Sequence, residues 1–351
     1  DFIQIKLIIV GKEKEITFVD ELERGDAPPE VVTIHKPVER IIISSMLDQA
    51  EALRSLGAKD KVIGVGETIK DSPVWLPELS KLPYVPQTHT TIDYEAVLTL
   101  NPEVLWAIGR SRIDREKLPG VAVIHLRLTS PITFAEGVRK LGYILDKREE
   151  AEKLCNWHEG YINKIESRTG GLSEDEKPKV FLWGGYISGG GYQTCNSGRM
   201  HEMCDIAGGK NIAEDLELPG RGGPWLKVDS EWVIVQNPDI IVALAQSGCG
   251  YSIDDPSEMA ALRDDILMNR PELAKITAVK SGSVYMMTFQ DFAVGGAGGL
   301  LGIAHQAKWF HPDLFVDVDP EAIHQEYVTR FQHLDYDLDK HGVFVYPPLE
   351  D

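Results

Sequence analysis

Arginine and aromatic side chains are concentrated in loops that follow the predicted strands of this 351-residue chain. Aromatic rings offer faces for stacking, and arginine offers paired N–H donors that match a carboxylate. Together they suit a flat or bulky organic chelate that bears carboxylates. The candidate ligand-binding residues are Ser45, Met46, Glu67, Arg110, Arg112, Trp183, Tyr186, Tyr192, Arg221, Trp225, Phe289 and Phe292.

Direct binding of a metal ion by the protein would need converging histidine, tyrosine or carboxylate side chains. The ten histidines are dispersed and form no motif with metal-ligand spacing. We therefore predict no metal site and no intrinsic cofactor, so that a metal would arrive within a bound chelate. If one side chain acts as an axial ligand, the candidates are Tyr186, Tyr192 and His201.

Motifs of covalent or phosphate chemistry are missing from the sequence. It has no Gly-x-Ser-x-Gly elbow, no His-Glu-x-x-His and no P-loop, and the glycine-rich run 183–192 lacks the spacing of a nucleotide loop. Glycine there suits the close approach of a large ligand. We predict a binding protein and not an enzyme, the enzymatic alternative being a metal chelatase or cofactor-binding enzyme of nitrogenase-like architecture.

Composition excludes other classes of protein. A net charge of −19 without a basic run argues against nucleic-acid binding. No apolar stretch is long enough to span a membrane, and no signal peptide is present. The cysteines show no zinc-ligand spacing. Cys195 and Cys204 could pair in an oxidising compartment, but buried free thiols are the simpler interpretation.

The order of the predicted elements indicates an α/β fold. Short runs rich in valine and isoleucine alternate with helical stretches on both sides of a long amphipathic segment, Arg148–Arg168. This pattern predicts two Rossmann-like lobes with central parallel sheets, joined by one long α-helix, with a ligand cleft between the lobes. The predicted strands are Arg40–Ser44, Lys61–Val65, Glu103–Ile108, Val121–Leu126, Lys179–Trp183, Asp239–Leu244 and Ser283–Met287.

The predicted boundaries follow from composition. A turn-rich, charged segment separates the long helix from the second lobe, and Asp319-Pro320 predicts the start of a helix that continues through Phe331. The expected parts are an N-terminal extension (1–36), an N-terminal lobe (37–147), a linker helix (148–170), and a C-terminal lobe with helices and a tail (171–351).

An internal repeat supports the two-lobed architecture. Ile92–Trp106 matches Val228–Val242 position by position at an offset of 136 (228 minus 92), and each copy predicts a capped short helix, an Asn-Pro turn and a buried strand. Glu51–Asp60 similarly parallels Glu202–Asn211 at an offset of 151 (202 minus 51). Two matches in the same order indicate the duplication of a whole lobe.

These segments resemble a known family, the helix-linked substrate-binding proteins of ABC importers for iron-siderophores, haem and cobalamin. Pro37–Ser45 and Glu51–Val65 look like its first strand, helix and second strand. Asp93–Leu105 is similar to its most recognisable motif, and Asp205–Ala213 to the counterpart in the second lobe. The resemblance covers about residues 30 to 345 and is specific for the fold and transport role, but weak for the ligand.

The resemblance implies capture of a metal chelate outside the cytoplasm, by a monomer, and delivery to the permease dimer of an ABC importer. One glutamate on each lobe docks into the permease in that family, and the matching positions are Glu95 and Glu231. The start of the chain differs, because Asp1–Gly11 resembles the exit helix of a dockerin-like calcium repeat. That likeness leaves a cell-surface interaction module as a further alternative, and a simple strand or helix packed on the first lobe as the plainer interpretation.

Overall fold

The computed structural model describes residues 15–20, 30–44, 46–87, 91–108, 113–184, 191–217, 225–294 and 297–349. The chain forms two compact units. Unit 1 comprises the residues up to Leu128, then Thr133–Trp157 and Phe331–His333, and unit 2 comprises the remainder. No helix in these described ranges has the length and apolar character needed to cross a membrane.

Unit 1 is built on a parallel sheet with the strand order β4-β3-β5-β6. Ile41–Ile43, the strand β3, is buried on both faces, which explains its uninterrupted isoleucines. The elements are β1 (Glu15–Asp20), β2 (Glu30–His35), β3, α1 (Leu47–Ser55), β4 (Val62–Val65), α2 (Glu67–Lys70), α3 (Tyr94–Thr99), β5 (Val104–Trp106), β6 (Ala122–Ile124), α4 (Phe134–Leu145) and the first half of α5 (Arg148–Thr169).

A two-stranded antiparallel ribbon, β1 with β2, precedes this sheet. The last residue of β1, Asp20, is fully buried. Its carboxylate accepts hydrogen bonds from the His125 backbone N–H (2.6 Å), the His125 ring (2.8 Å) and the Arg115 guanidinium (2.7 Å). The ribbon is therefore anchored to the rest of unit 1 through a buried carboxylate that accepts bonds from Arg115 and His125. Asp1–Gly11, the dockerin-like segment, lies outside the described residues.

Helix α5 belongs to unit 1 as far as Trp157 and to unit 2 from His158 onward. In unit 1 it packs closely on α4, because a Cβ added at Gly142 would lie 2.6 Å from the Ala151 Cβ. In unit 2 the Arg168 guanidinium donates to both carboxylate oxygens of Asp317. These bonds hold the pKa of Asp317 well below its usual range.

Three residues from late in the sequence complete unit 1. The Phe331 ring lies 5.0 Å from that of Trp157. The fully buried Gln332 side chain accepts a hydrogen bond from Arg54 Nε (2.7 Å) and donates to Ser55 Oγ (2.7 Å). We call Phe331–His333 the C-terminal plug. Unit 1 is thus discontinuous in sequence.

Unit 2 repeats the sheet of unit 1 with an added edge, in the order β13-β12-β11-β7-β9, and only β13 runs antiparallel to its neighbour within it. A separate antiparallel pair joins β8 and β10. The elements are β7 (Lys179–Trp183), β8 (Tyr192–Cys195), α6 (Arg199–Ile206), β9 (Lys210–Asn211), β10 (Trp225–Val228), α7 (Ser230–Gln236), β11 (Ile240–Ala245), α8 (Ser257–Met268), α9 (Thr277–Ser281), β12 (Val284–Thr288), α10 (Leu300–Phe310), α11 (Pro320–Glu326) and β13 (Val345–Tyr346).

The two copies of the sequence repeat adopt the same local structure. Asp93 caps α3 by accepting from the backbone N–H three residues later (3.0 Å), and Asp229 caps α7 in the same way (2.7 Å). Asn101 and Asn237 both adopt left-handed backbone conformations, with φ of 49° and 47°. Asparagine tolerates this conformation, which ends each helix before its proline. The predicted repeat is therefore present in the fold.

Candidate ligand-binding site

The carboxyl edge of the unit 1 sheet presents a few polar groups. Ser44, just after β3, is buried and donates from both N and Oγ to Gln49 Oε1 (2.8 and 2.7 Å), which closes the turn into α1. Met46 follows in this turn and is half-buried, and Glu67 begins α2, after the neighbouring strand β4, with its side chain exposed. The predicted residues Ser45, Arg110 and Arg112 lie outside the described ranges.

Aromatic side chains converge at the carboxyl end of β7 in unit 2. The Trp183 and Tyr192 rings are stacked, with centroids 5.0 Å apart and an interplanar angle of 22°. The Trp225 ring lies so close to Gly184 that an added Cβ would be 1.9 Å from it. Trp183 is fully buried, whereas Tyr192 and Trp225 keep part of their surface exposed. We call Trp183, Gly184, Tyr192 and Trp225 the aromatic wall.

Two charged residues, Arg270 and Glu272, flank the aromatic wall, and Arg270 Nε also donates to Asp265 Oδ2 (3.2 Å). The Arg270 guanidinium carbon lies 4.9 Å from the Trp183 ring centroid and 5.6 Å from that of Tyr192. The Tyr192 hydroxyl donates to Glu272 Oε1 at 2.5 Å. Partial burial and this hydrogen bond raise the pKa of Tyr192 to about 12. Tyr192 is thus held as a neutral phenol, which is poorly suited to act as an anionic metal ligand while it is bonded to Glu272.

The two predicted phenylalanines after β12 differ in exposure. Phe289 is half-buried, and the Arg199 guanidinium lies 5.7 Å from its ring centroid. Phe292 is fully buried and stacks on His305 and Phe344 at 5.4 Å each. Phe289 therefore has surface available for a ligand, whereas Phe292 packs the interior of unit 2.

Other predicted residues fall into different settings. His201 is half-buried, and its Nδ1 lies 3.3 Å from Asn211 Nδ2. Tyr186 and Arg221 lie outside the described residues. Within the described ranges, no group of three or more His, Cys, Asp or Glu side chains is arranged to hold a metal ion.

Cys195 and Cys204 are buried free thiols. Burial raises the pKa of the Cys195 thiol to about 12 and raises that of Cys204 as well. Thiols held in the protonated form are weak nucleophiles and weak metal ligands. Neither cysteine adds chemistry to the candidate site.

Glu95 and Glu231 lie in the first turns of α3 and α7, and both side chains are exposed. Ser230 Oγ lies 3.3 Å from Glu231 Oε2. Neither carboxylate forms an ion pair with another residue in the described part of the chain. Both are therefore available to a partner.

Three charged residues near the site were not predicted from sequence. Arg199 begins α6, and Arg270 and Glu272 both follow α8, so none of them directly follows a strand of the parallel sheet. Arg199 lies against the Phe289 ring and Arg270 against the Trp183 ring only in the folded unit, so sequence position does not reveal these contacts. The one signal in the sequence is the abundance of aromatic residues in the glycine-rich run before Tyr192, which creates surfaces on which arginine can stack.

A family model described as periplasmic binding protein matches residues 42–290. The chain belongs to this family. The match spans the parallel strands of both sheets from Ile42 onward, with most of the candidate residues, and leaves out β13. It confirms the resemblance inferred from the sequence motifs.

Individual proteins agree with this assignment. The vitamin B12-binding protein of Photorhabdus laumondii is 24% identical over 57% of this chain and 69% of its own length. The TroA-like periplasmic binding protein FepB of Veillonella parvula superposes with a TM-score of 0.72 at 20% identity, covering 90% of this chain and 96% of that one. CeuE of Helicobacter pylori, in an Ni-His complex, gives a TM-score of 0.66 at 18% identity, covering 92% and 97%. The predicted α/β fold with parallel sheets is confirmed.

Proposed function

We propose that this protein captures a metal chelate outside the cytoplasm and delivers it to the permease of an ABC importer. The observation that carries the proposal is the aromatic wall at the carboxyl end of β7, with Arg270 beside it, and with Arg199 against Phe289 after β12. Open α/β sheets bind ligands at this edge of the sheet. Membership of the periplasmic binding protein family supports a binding role outside the cytoplasm.

The ligand class follows from the shape and charge of the exposed groups. Tyr192, Trp225 and Phe289 offer partly exposed rings, and Arg199 and Arg270 hold positive charge near them in a chain with a net charge of −19. Such a surface favours a bulky organic ligand with carboxylates or other anionic groups. Among the relatives, one is named for vitamin B12 and another was solved with nickel and histidine. These names support a metal complex as ligand.

Binding requires no covalent step in this proposal. The rings would stack on the ligand and the arginines would bond its anionic groups. Tyr192, whose hydroxyl donates to Glu272, would stack on the ligand without binding the metal directly. The remaining predicted contacts (Ser45, Met46, Glu67, Arg110, Arg112, Trp183, Tyr186, Arg221 and Phe292) stay predictions, of which Trp183 and Phe292 would act by supporting exposed neighbours.

Delivery would use the two exposed glutamates. Glu95 and Glu231 occupy the same position in the two copies of the repeat, so each could meet an equivalent arginine pocket of a dimeric permease. A monomeric carrier satisfies this geometry, because its internal repeat supplies both carboxylates.

The experiment is a titration of purified protein with haem, cobalamin and a small siderophore panel, followed by tryptophan fluorescence. We expect saturable quenching by one ligand class and loss of most of that signal in Trp225→Phe. Trp309→Phe is the matched control, because the Trp309 ring is buried and stacked on Tyr285, away from the aromatic wall.

Other outcomes of this experiment would contradict the proposal or favour one of the alternatives. If no chelate quenches the folded protein, the carrier proposal for these ligands is wrong. Turnover of a chelate, with metal released or inserted, would indicate the chelatase alternative. Capture of a protein without any small ligand would indicate the interaction-module alternative.

A further inference from the structure

A short 3₁₀ turn, Pro271–Leu273, lies beside the aromatic wall of unit 2. Proline at its first position fixes φ near the helical value, which favours the start of the turn. Its last residue, Leu273, is fully buried in the same hydrophobic core as Trp183. The turn therefore has a fixed position relative to the wall, and its middle residue is Glu272.

Glu272 bonds the tip of the Tyr192 side chain. The Tyr192 hydroxyl donates to Glu272 Oε1 at 2.5 Å, while the Tyr192 ring stacks on Trp183 with centroids 5.0 Å apart. This bond also lowers the pKa of Glu272, so the acceptor is a carboxylate at neutral pH. A tyrosine side chain has two main torsions, and a stacked face together with a bonded tip leaves little freedom in either of them.

Arg270 provides a further contact to the same ring. Its guanidinium carbon lies 5.6 Å from the Tyr192 ring centroid, and its Nε donates to Asp265 Oδ2 at 3.2 Å. Only 16% of the Arg270 side chain is exposed. Tyr192 itself is half-buried, so part of its ring stays accessible to a ligand. The accessible part of the ring is thus held in one orientation by its neighbours.

The charge of Glu272 argues against a direct contact with the proposed ligand. A carboxylate beside the anionic groups of a chelate would repel them, whereas Arg199 and Arg270 attract them. A carboxylate bonded to a phenol can instead act through that phenol. Fixing a ring before the ligand arrives reduces the conformational entropy that is lost on binding.

We propose that Glu272 is a positioning residue of the ligand site, which fixes the Tyr192 ring against Trp183 and does not itself bond the ligand. This inference rests on the proposed function, and it adds a residue that prepares the aromatic wall in the ligand-free protein. Positioning requires the hydrogen bond and not the negative charge. Another acceptor of similar length at position 272 should therefore replace the carboxylate.

The test is a double-mutant cycle on affinity, measured by isothermal titration calorimetry with haem, cobalamin and a ferric siderophore panel as probes. Glu272→Ala should weaken binding about fivefold, because it removes a hydrogen bond in partly exposed surroundings. Glu272→Gln should bind within about twofold of wild type, since its amide oxygen accepts the same bond. In a Tyr192→Phe background, Glu272→Ala should change the affinity by less than about twofold.

Glu326→Ala is the matched control. Glu326 Oε2 accepts from the Tyr161 hydroxyl at 3.0 Å, so this variant breaks a bond of the same kind within unit 2. Neither residue belongs to the aromatic wall, and the control should bind like wild type. Far-UV circular dichroism confirms that each variant is folded.

Other results would overturn the inference. If Glu272→Ala weakens binding equally with and without the Tyr192 hydroxyl, Glu272 contacts the ligand directly. If Glu272→Gln binds as weakly as Glu272→Ala, the negative charge and not the bond is responsible. If Glu272→Ala binds like wild type, or if the control loses as much affinity, the bond has no special role in binding. In each of these cases wild type binds a chelate and the proposed function stands, whereas a wild-type protein that binds no probe overturns both.

Discussion

Three buried histidines give this protein a predictable sensitivity to acid. His158, His305 and His324 are almost entirely inaccessible to solvent, with exposures of 1%, 2% and 3%. Burial lowers the pKa of each from 6.5 to about 3. A charged imidazole is poorly solvated in such an interior, so the folded protein holds these rings neutral at pH values where an unfolded chain would protonate them.

The direction of the effect follows from these values. Because each folded pKa lies below the unfolded one, the unfolded chain binds more protons as the pH falls below about 6.5. The stability is complete above that pH and is lost progressively toward pH 3. At pH 5 each ring lowers the free energy of unfolding by about 2 kcal/mol, or about 6 kcal/mol for all three. That is comparable with the whole stability of many domains.

The assay is urea denaturation at fixed pH values between 5 and 8, followed by circular dichroism. As the pH is lowered from 6 to 5, the free energy of unfolding should fall by up to about 4 kcal/mol per pH unit. This slope corresponds to three protons bound on unfolding. His305→Gln should remove about one proton from this slope. If the slope for the wild-type protein corresponds to less than one proton bound on unfolding, the reasoning is refuted.

Further predictions concern stability and the aromatic wall. Asp20→Asn should lower the free energy of unfolding by about 3 kcal/mol, because charged bonds to a buried carboxylate, including that of His125, are lost; urea denaturation measures it, and an unchanged midpoint would contradict it. Gln332→Ala should cost about 1 to 3 kcal/mol in the same assay, by leaving buried donors and acceptors without their bonds. Gly184→Ala should displace the Trp225 ring, because the added Cβ would overlap it, and should therefore shift the tryptophan emission and weaken chelate binding. If emission and affinity both stay normal, the aromatic wall accommodates the added Cβ and this prediction is wrong.

Much of the fold could be predicted because its strands are short, continuous apolar runs. Every observed strand of the unit 1 parallel sheet falls within a predicted segment, and Lys179–Trp183 was predicted to the residue. The Asp-capped helices and Asn-Pro turns of the repeat were equally accessible, since capping and left-handed asparagine have local signatures. Helix α11, which starts after Asp319 and continues as a wider π-helical turn to Phe331, follows the same logic.

The features that could not be predicted depend on contacts distant in sequence. The β1–β2 ribbon is recognisable only once its two strands pair, and the burial of Asp20 depends on His125, more than a hundred residues away. Trp183 and Phe292 looked like surface aromatics at strand ends, yet later segments cover them. Arg199 and Arg270 joined the candidate site through stacking on rings, which no spacing in the sequence reveals.

The C-terminal plug also bears on the order in which the protein can be made. A nascent chain that has reached residue 330 contains nearly all of unit 1 but still lacks Phe331 and Gln332, which fill its interior. Translation proceeds at roughly 5 to 20 residues per second. Many seconds therefore pass between the synthesis of the first part of unit 1 and that of Phe331 and Gln332, which complete it. Unit 1 therefore cannot complete its fold before most of unit 2 has been synthesised. Unit 1 reaches its final packing only after Phe331–His333 have been synthesised.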